Sequence, residues 1–125
     1  MKIEVSNGEI VDKISILSIK LEKFKSDKKR VNVLKEFDLL YPIMCEIGIT
    51  TDSKEFRQLK EVNLKLWEIE DRIRQKEAQG AFDKIFIDLA RSVYIENDKR
   101  SEIKRAINQR TQSSLVEEKE YVDYK

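Results

Sequence analysis

The sequence predicts an all-α protein, an antiparallel bundle of four main helices with a long central helical hairpin. Between Ser53 and Gln79, apolar residues recur at alternating steps of three and four, which places them on one stripe of a helix. They are Leu59, Val62, Leu66, Ile69 and Ile73. The chain has only 3 glycines and 1 proline in 125 residues, too few for the many turns of a β-sandwich. Charged residues make up 39%, which is typical of helices with solvated outer faces.

Composition limits the possible functions. A chain of 125 residues should form one domain, and we expect residues 113–125 to dock on it as a C-terminal tail. The 25 basic and 24 acidic residues nearly cancel, so no positive field exists to attract nucleic acid. Histidine is absent, which excludes Ser-His-Asp triads, Cys-His dyads and histidine-bearing zinc sites.

The same counts predict the compartment. No apolar run approaches the roughly 18 residues that a membrane span requires, and the N-terminus lacks the apolar segment of a signal peptide. The single thiol, Cys45, fits a reducing compartment and is expected to be a small buried side chain. We therefore expect a cytoplasmic protein with no membrane contact.

The first helix is expected near Asn7. Before it, Ile3 and Val5 alternate with polar residues and could form a very short strand. Ser6 and Glu9 have the spacing of a capping box. The apolar face of the helix is wider than one neighbour needs, which predicts contact with more than one helix. Its stripe consists of Ile10, Ile14, Leu17, Leu21 and Phe24.

The second helix follows a polar joint over 26–30, which is expected to be a solvated loop. Its apolar positions are Val33, Phe37, Leu40 and Met44. Pro42 lacks an amide hydrogen and clashes with the carbonyl of Asp38, so we expect a kink or an end near Tyr41. Gly48 and the polar residues over 50–53 then predict a turn, with Asp52 or Ser53 capping the third helix.

The third and fourth helices should form the hairpin around Gly80, which suits the left-handed position after a helix end. The apolar seam of the fourth helix is Phe86, Leu89, Val93, Ile103 and Ile107, and Glu96 and Arg100 interrupt it. Two interpretations are open. Either the helix is continuous and these two residues pair at i,i+4, which we favour, or it breaks at Asn97-Asp98 and a fifth helix begins.

Three motifs carry a family resemblance. They are LWEIED at 66–71, LARSVYxxND at 89–98 and EEKxY at 117–121, together with the opening KIEVSNGEIVDK at 2–13. With these motifs the chain resembles a small family of bacterial and marine-phage proteins classed as a domain of unknown function. The resemblance implies no activity, ligand or catalytic residue.

Charged residues on the predicted hairpin form the main candidate site. Three arginines, Arg74, Arg91 and Arg100, could grip a phosphate or carboxylate. Polar neighbours accompany them: Glu70, Asp71, Asn97 and Asp98. The competing interpretation, which we favour, is a set of interhelical ion pairs that fix register, with Arg91 roughly level with Asp71.

Two further sets are weaker candidates. Carboxylates three residues apart, at Glu68 and Asp71 and again at Glu117, Glu120 and Asp123, would share helix faces as in all-α Mg²⁺-dependent nucleotide hydrolases. Aromatic side chains are expected to complete the core: Trp67, Phe82, Phe86, Tyr94, Tyr121 and Tyr124.

The favoured function is therefore a non-catalytic interaction or assembly protein that associates with itself. Its expected partner is protein, without cofactor or metal. The alternatives are a protein or enzyme that binds a small anionic ligand through the hairpin arginines, and the Mg²⁺-dependent hydrolase.

Overall fold

The computed structural model describes residues 1–125 and contains four α-helices and no strand. The helices are α1 (Asn7–Lys23), α2 (Asp27–Glu46), α3 (Lys54–Ala78) and α4 (Lys84–Arg110). The predicted all-α class and the four main helices are confirmed. The short strand considered for Ile3 and Val5 does not form, and residues 113–125 follow α4 without helix or strand.

Helix α1 lies at the centre of the bundle and packs against the other three helices. Helices α3 and α4 also pack against each other, whereas α2 packs on α1. The wide apolar face of α1 predicted this, because one neighbour could not cover it. The shared core contains Val11, Ile14, Met44, Ile49, Phe56, Leu59 and Ile107.

The beginning of α1 in part, and the end of α3, follow their sequence signals, whereas Ser53 at the beginning of α3 forms no side-chain capping hydrogen bond. Ser6 Oγ accepts a hydrogen bond from the Glu9 amide at 3.3 Å, which is one half of the predicted capping box. The other half is absent, because the Glu9 carboxylate accepts from Lys104 Nζ instead. After α3, Gly80 adopts φ +63° and the Ala81 amide donates to the Lys76 carbonyl at 2.9 Å, which closes the helix end.

Two expectations for α2 were wrong. Of the kink or end predicted near Tyr41, the end does not occur, because the helix continues through Pro42 to Glu46; the kink stays a prediction. One missing amide costs a single hydrogen bond, and the fully buried Met44 holds the last turn on the core. Cys45 is exposed, because it follows the core residue Met44 and points about 100° away from it around the helix.

The expected loop over 26–30 is shorter than predicted. Ser26 caps α2, and the helix begins at Asp27. Arg30, one turn into α2, donates to the carbonyls of Leu21 and Phe24. A basic side chain therefore satisfies carbonyl groups at the end of α1.

Helix α4 is continuous through Asn97-Asp98, as we favoured, but its two polar seam residues do not pair with each other. Glu96 accepts from Lys99 at 3.1 Å, and Arg100 binds Asp12 on α1. No helix combines the length and hydropathy that crossing a bilayer requires.

A first test concerns Gly8, where α1 meets α4 most closely. The Gly8 amide donates to Asn108 Oδ1 at 2.7 Å, and an added Cβ would lie 2.5 Å from the Lys104 carbonyl oxygen. We expect Gly8→Ala to lower the free energy of unfolding by about 1–3 kcal/mol in urea denaturation, because the backbones must separate.

The control is Gly80→Asn. An added Cβ at Gly80 meets nothing, and asparagine tolerates positive φ, so the change should stay within about 0.5 kcal/mol. Equal stability of the two variants would contradict the close approach at Gly8.

Candidate functional site

A carboxylate in the core, that of Asp12 on α1, organises the polar residues of the bundle. Asp12 is 1% exposed. Arg100 of α4 donates to both of its carboxylate oxygens, through Nε to Oδ1 at 3.0 Å and through the terminal nitrogen to Oδ2. The guanidinium thus meets the carboxylate as a fork, the geometry of the strongest ion pairs. The hydrogen bond to Asp12 raises the pKa of Arg100.

Helix α3 completes this buried network. Asn63 Nδ2 donates to Asp12 Oδ1 and to Ser15 Oγ, both at 2.8 Å. Ser15 Oγ in turn donates to the Asp12 carbonyl at 2.7 Å. No fully buried side-chain oxygen or nitrogen of the network lacks a partner. The network joins α1, α3 and α4 at one level of the bundle.

A second ionic cluster lies nearer the N-terminus of α1. Lys104 Nζ donates to Glu9 at 2.8 Å and to Glu117 of the tail at 2.9 Å. Burial lowers the pKa of Lys104, but the hydrogen bonds to Glu9 and Glu117 outweigh it, so the pKa is raised. The hydrogen bond from Lys104 lowers the pKa of Glu117. The ion pair between Lys104 and Glu117 therefore holds the beginning of the tail against α4.

Next to the Asp12 network, a cleft of about 540 Å³ opens between α1, α3 and α4; we call it the central cleft. It brings together most of the site residues predicted from the sequence: Glu70, Asp71, Arg74, Asn97 and Arg100. Its apolar wall is formed by Ile16, Ile19, Leu66, Trp67 and Val93, and Asn63 completes the lining.

The arginines of the central cleft already have carboxylate partners. Arg100 binds Asp12, and Arg74 Nε lies 3.5 Å from Glu70. Arg91 does not line the central cleft and forms no ion pair with Asp71, and a hydrogen bond with the neighbouring Tyr94 raises its pKa. Because two unpartnered guanidiniums do not converge, the geometry supports ion pairing over an anion site. Anion binding stays a prediction.

The tail forms a second cleft with α4, of about 960 Å³, and we call it the tail cleft. It meets the central cleft at Val93, Asn97 and Arg100. The Tyr124 hydroxyl donates to Asp98, and its ring meets Tyr94 edge to face with centroids 4.9 Å apart. Asp98 thus lies in the tail cleft and holds the end of the tail.

Not all the aromatic side chains complete the core as expected. Phe82 is 60% exposed and Tyr121 76% exposed. Phe82 lies in the turn between α3 and α4, and Tyr121 lies in a tail that follows the surface of α4. Their positions in short connecting or terminal segments keep them out of the core.

The acidic pairs do not form the arrangement that metal hydrolysis needs. The tail is not helical, so Glu117, Glu120 and Asp123 do not share one helix face. No group of three or more His, Cys, Asp or Glu side chains is placed to hold a metal ion. The carboxylates therefore lack the arrangement on which the prediction of a Mg²⁺-dependent hydrolase depended.

Sequence reasoning missed the residues that form the network, Asp12, Ser15 and Asn63, and also missed Lys104. Asp12 and Ser15 lie next to fully buried positions of α1, and Asn63 follows Val62 on α3. Polar residues inside a wide apolar face were the available signal. Arg100, in the apolar seam of α4, was a second signal. The pattern of α4 alone did not identify Asp12 as its partner.

Removal of the buried carboxylate tests the network. Asp12→Ala leaves Arg100 and Asn63 without their acceptor, so we expect the free energy of unfolding to fall by about 3–5 kcal/mol. The control is Glu70→Ala, which removes an exposed partner of Arg74 and should cost less than about 0.5 kcal/mol. Urea denaturation measures the free energy of unfolding of both variants. Comparable losses would contradict the stabilising role of the buried network.

The contact between Tyr124 and Asp98 leads to a prediction about pH. The hydrogen bond to Asp98 raises the pKa of Tyr124 from 10.0 to about 12. Since the folded-state pKa is raised, this contact stabilises docking below pH 10 and is lost as pH rises through about 12.

Ultraviolet titration of the phenolate should therefore show one tyrosine that ionises near pH 12, and Asp98→Asn should return it toward 10. Asp123→Asn, in the tail itself, serves as the control and should leave that tyrosine unchanged. A titration of Asp98→Asn that matches that of the unaltered protein would show that Tyr124 does not form this hydrogen bond with Asp98.

Comparison with known proteins yields a family model, described as a family of unknown function (DUF6165), that matches residues 1–124. No curated protein and no solved structure matches the chain.

Proposed function

We propose that this chain, which belongs to that family of unknown function, is a non-catalytic interaction protein that associates with a second copy of itself. The contact surface is the free end of the α3–α4 hairpin, residues 75–88, which we call the hairpin end. The proposal rests on one observation, an apolar helix end that no other part of the chain covers.

The hairpin end is free because α1 is too short to reach it. Gly8 binds Asn108, so α1 begins level with the C-terminal part of α4, and Asp12 meets Arg100 further along. Helix α1 has 17 residues and α4 has 27. At 1.5 Å per residue, roughly 15 Å of α4 lies beyond the end of α1.

The beginning of α4 carries a broad apolar surface, which Lys84 and Asp88 interrupt on one side. Ile85, Phe86 and Ile87 are consecutive and therefore point in three different directions around the helix. Ile85 is 49% exposed and Ile87 54% exposed, while Phe82 meets Phe86 edge to face with centroids 5.2 Å apart. Exposed apolar side chains that are grouped in this way and bordered by charged residues are suited to a contact with another molecule.

A second copy fits this surface better than a strongly charged partner. The net charge is +1, so two copies repel each other little. Charges of both signs surround the apolar residues: Lys76, Glu77, Asp83, Lys84 and Asp88. Two hairpin ends related by a two-fold axis can therefore bring opposite charges together and form a four-helix contact.

Sedimentation equilibrium of the full chain tests this proposal. We expect reversible dimers at micromolar to high micromolar concentration, since the hairpin end is smaller than a typical stable interface. Ile87→Asp should weaken dimerisation at least tenfold, because it places a charge in the apolar contact.

The matched control is Leu39→Asp on the outer face of α2, where the native side chain is 71% exposed. It should leave the dimer unchanged. A protein that stays monomeric at several hundred micromolar, or one that Leu39→Asp weakens as much as Ile87→Asp does, would refute the proposal.

A further inference from the structure

One of the two polar residues in the seam of α4 has no partner on another helix. Arg100 binds Asp12, which explains its position, but Glu96 has no such counterpart. Glu96 is 8% exposed, and its Oε1 accepts from Lys99, one turn away on the same helix. Its Oε2 is buried and has no hydrogen-bond partner.

A small cleft lies at Glu96, on the surface of the α3–α4 pair. Its volume is about 340 Å³, and only α3 and α4 contribute to it, so it is separate from the central cleft. We call it the Glu96 cleft. The lining consists of Gln58, Glu61, Val62, Lys65, Glu96, Lys99, Glu102 and Ile103.

The Glu96 cleft has an excess of carboxylates. The lining contains three carboxylates, those of Glu61, Glu96 and Glu102. It also contains two lysines, Lys65 and Lys99, of which only Lys99 forms an ion pair within the cleft. Glu61 and Glu102 have no ion-pair partner in the chain, so their charges are available to a cation that enters. An oxygen that is buried without a donor destabilises the folded protein, and more so when it is charged. A ligand that brings an N–H donor to Glu96 would offset that cost.

We propose that the Glu96 cleft binds a small organic cation that carries N–H donors, an alkylammonium or a guanidinium. Glu96 accepts the hydrogen bond that its Oε2 lacks, and Glu61 or Glu102 neutralises the remaining charge at the rim. The carboxylates are not grouped to enclose a metal ion, whereas an ammonium needs only one or two acceptors. The volume is at the small end of ligand sites, which limits the ligand to a few carbon atoms.

This site is independent of the proposed self-association. Its lining residues lie at 58–65 and 96–103, outside the hairpin end. A ligand could therefore bind to either the monomer or the dimer. The two proposals can fail separately.

The experiment titrates 1,4-diaminobutane into the full chain at pH 7 and constant ionic strength, with backbone amide NMR shifts as the readout. We expect saturable shifts confined to the Glu96 cleft, with a Kd of about 1 mM or tighter. Glu96→Gln should raise the Kd at least tenfold, since it removes the charge and keeps the shape of the side chain.

Two further variants complete the design. Glu46→Gln, on the exposed end of α2, is the matched control and should leave the Kd unchanged. Glu102→Gln, at the exposed rim, should weaken binding severalfold and tests the site even where Glu96→Gln perturbs the fold. A titration with MgCl₂ should give no saturable shifts in the cleft.

Three results would overturn the proposal. The first is a titration with no saturable shifts. The second is a Kd that neither Glu96→Gln nor Glu102→Gln changes. The third is saturable binding of Mg²⁺ in place of the diamine.

Discussion

The buried charge of Asp12 is the interaction on which the helix arrangement depends. A carboxylate that is 1% exposed is stable only with a counter-charge and with donors for its remaining lone pairs. Arg100 supplies the charge from α4 and Asn63 supplies a further donor from α3. A slip of either helix by one residue would turn one of these side chains away, so the network fixes the register of three helices.

This register has consequences at both ends of α4. At the C-terminal end it places Gly8 against Asn108 and brings Lys104 between Glu9 and the tail. At the N-terminal end it leaves the hairpin end beyond the reach of α1. The same alignment that satisfies the buried charge thus exposes the apolar beginning of α4. It also separates Arg100, which has a partner on α1, from Glu96, which has no partner on another helix.

The sequence predicted the features of the fold that depend on residues close together in the chain. The limits of α3 and the turn at Gly80 followed from a stripe of apolar residues and a residue that tolerates positive φ. The interior position of Glu96 and Arg100 followed from the period of α4. Of the kink or end predicted near Tyr41, the end was wrong, because core contacts of Met44 outweigh one lost hydrogen bond. The expected burial of Cys45 was wrong because an apolar neighbourhood in sequence does not determine which side of a helix faces the core.

The candidate site was less accessible to sequence reasoning. The charged residues of the hairpin could be identified, and the central cleft contains most of them, but their pairing depends on α1. Asp12 and Arg100 are 88 positions apart, and Asn63 is 51 positions from Asp12. No periodicity within one helix encodes such contacts. The tail was a similar case, since spacing of three residues suggested helix faces in a segment that is held in place by Lys104 and Asp98.

A double-mutant cycle between Asp12 and Arg100 tests the central claim most directly. The free energy of unfolding is measured for the unaltered protein, Asp12→Ala, Arg100→Ala and the double variant. The fork-like contact predicts a coupling energy of about 2–3 kcal/mol, so that the double variant is more stable than the sum of the single losses implies. A coupling energy near zero would show that the two side chains do not depend on each other and would contradict the account.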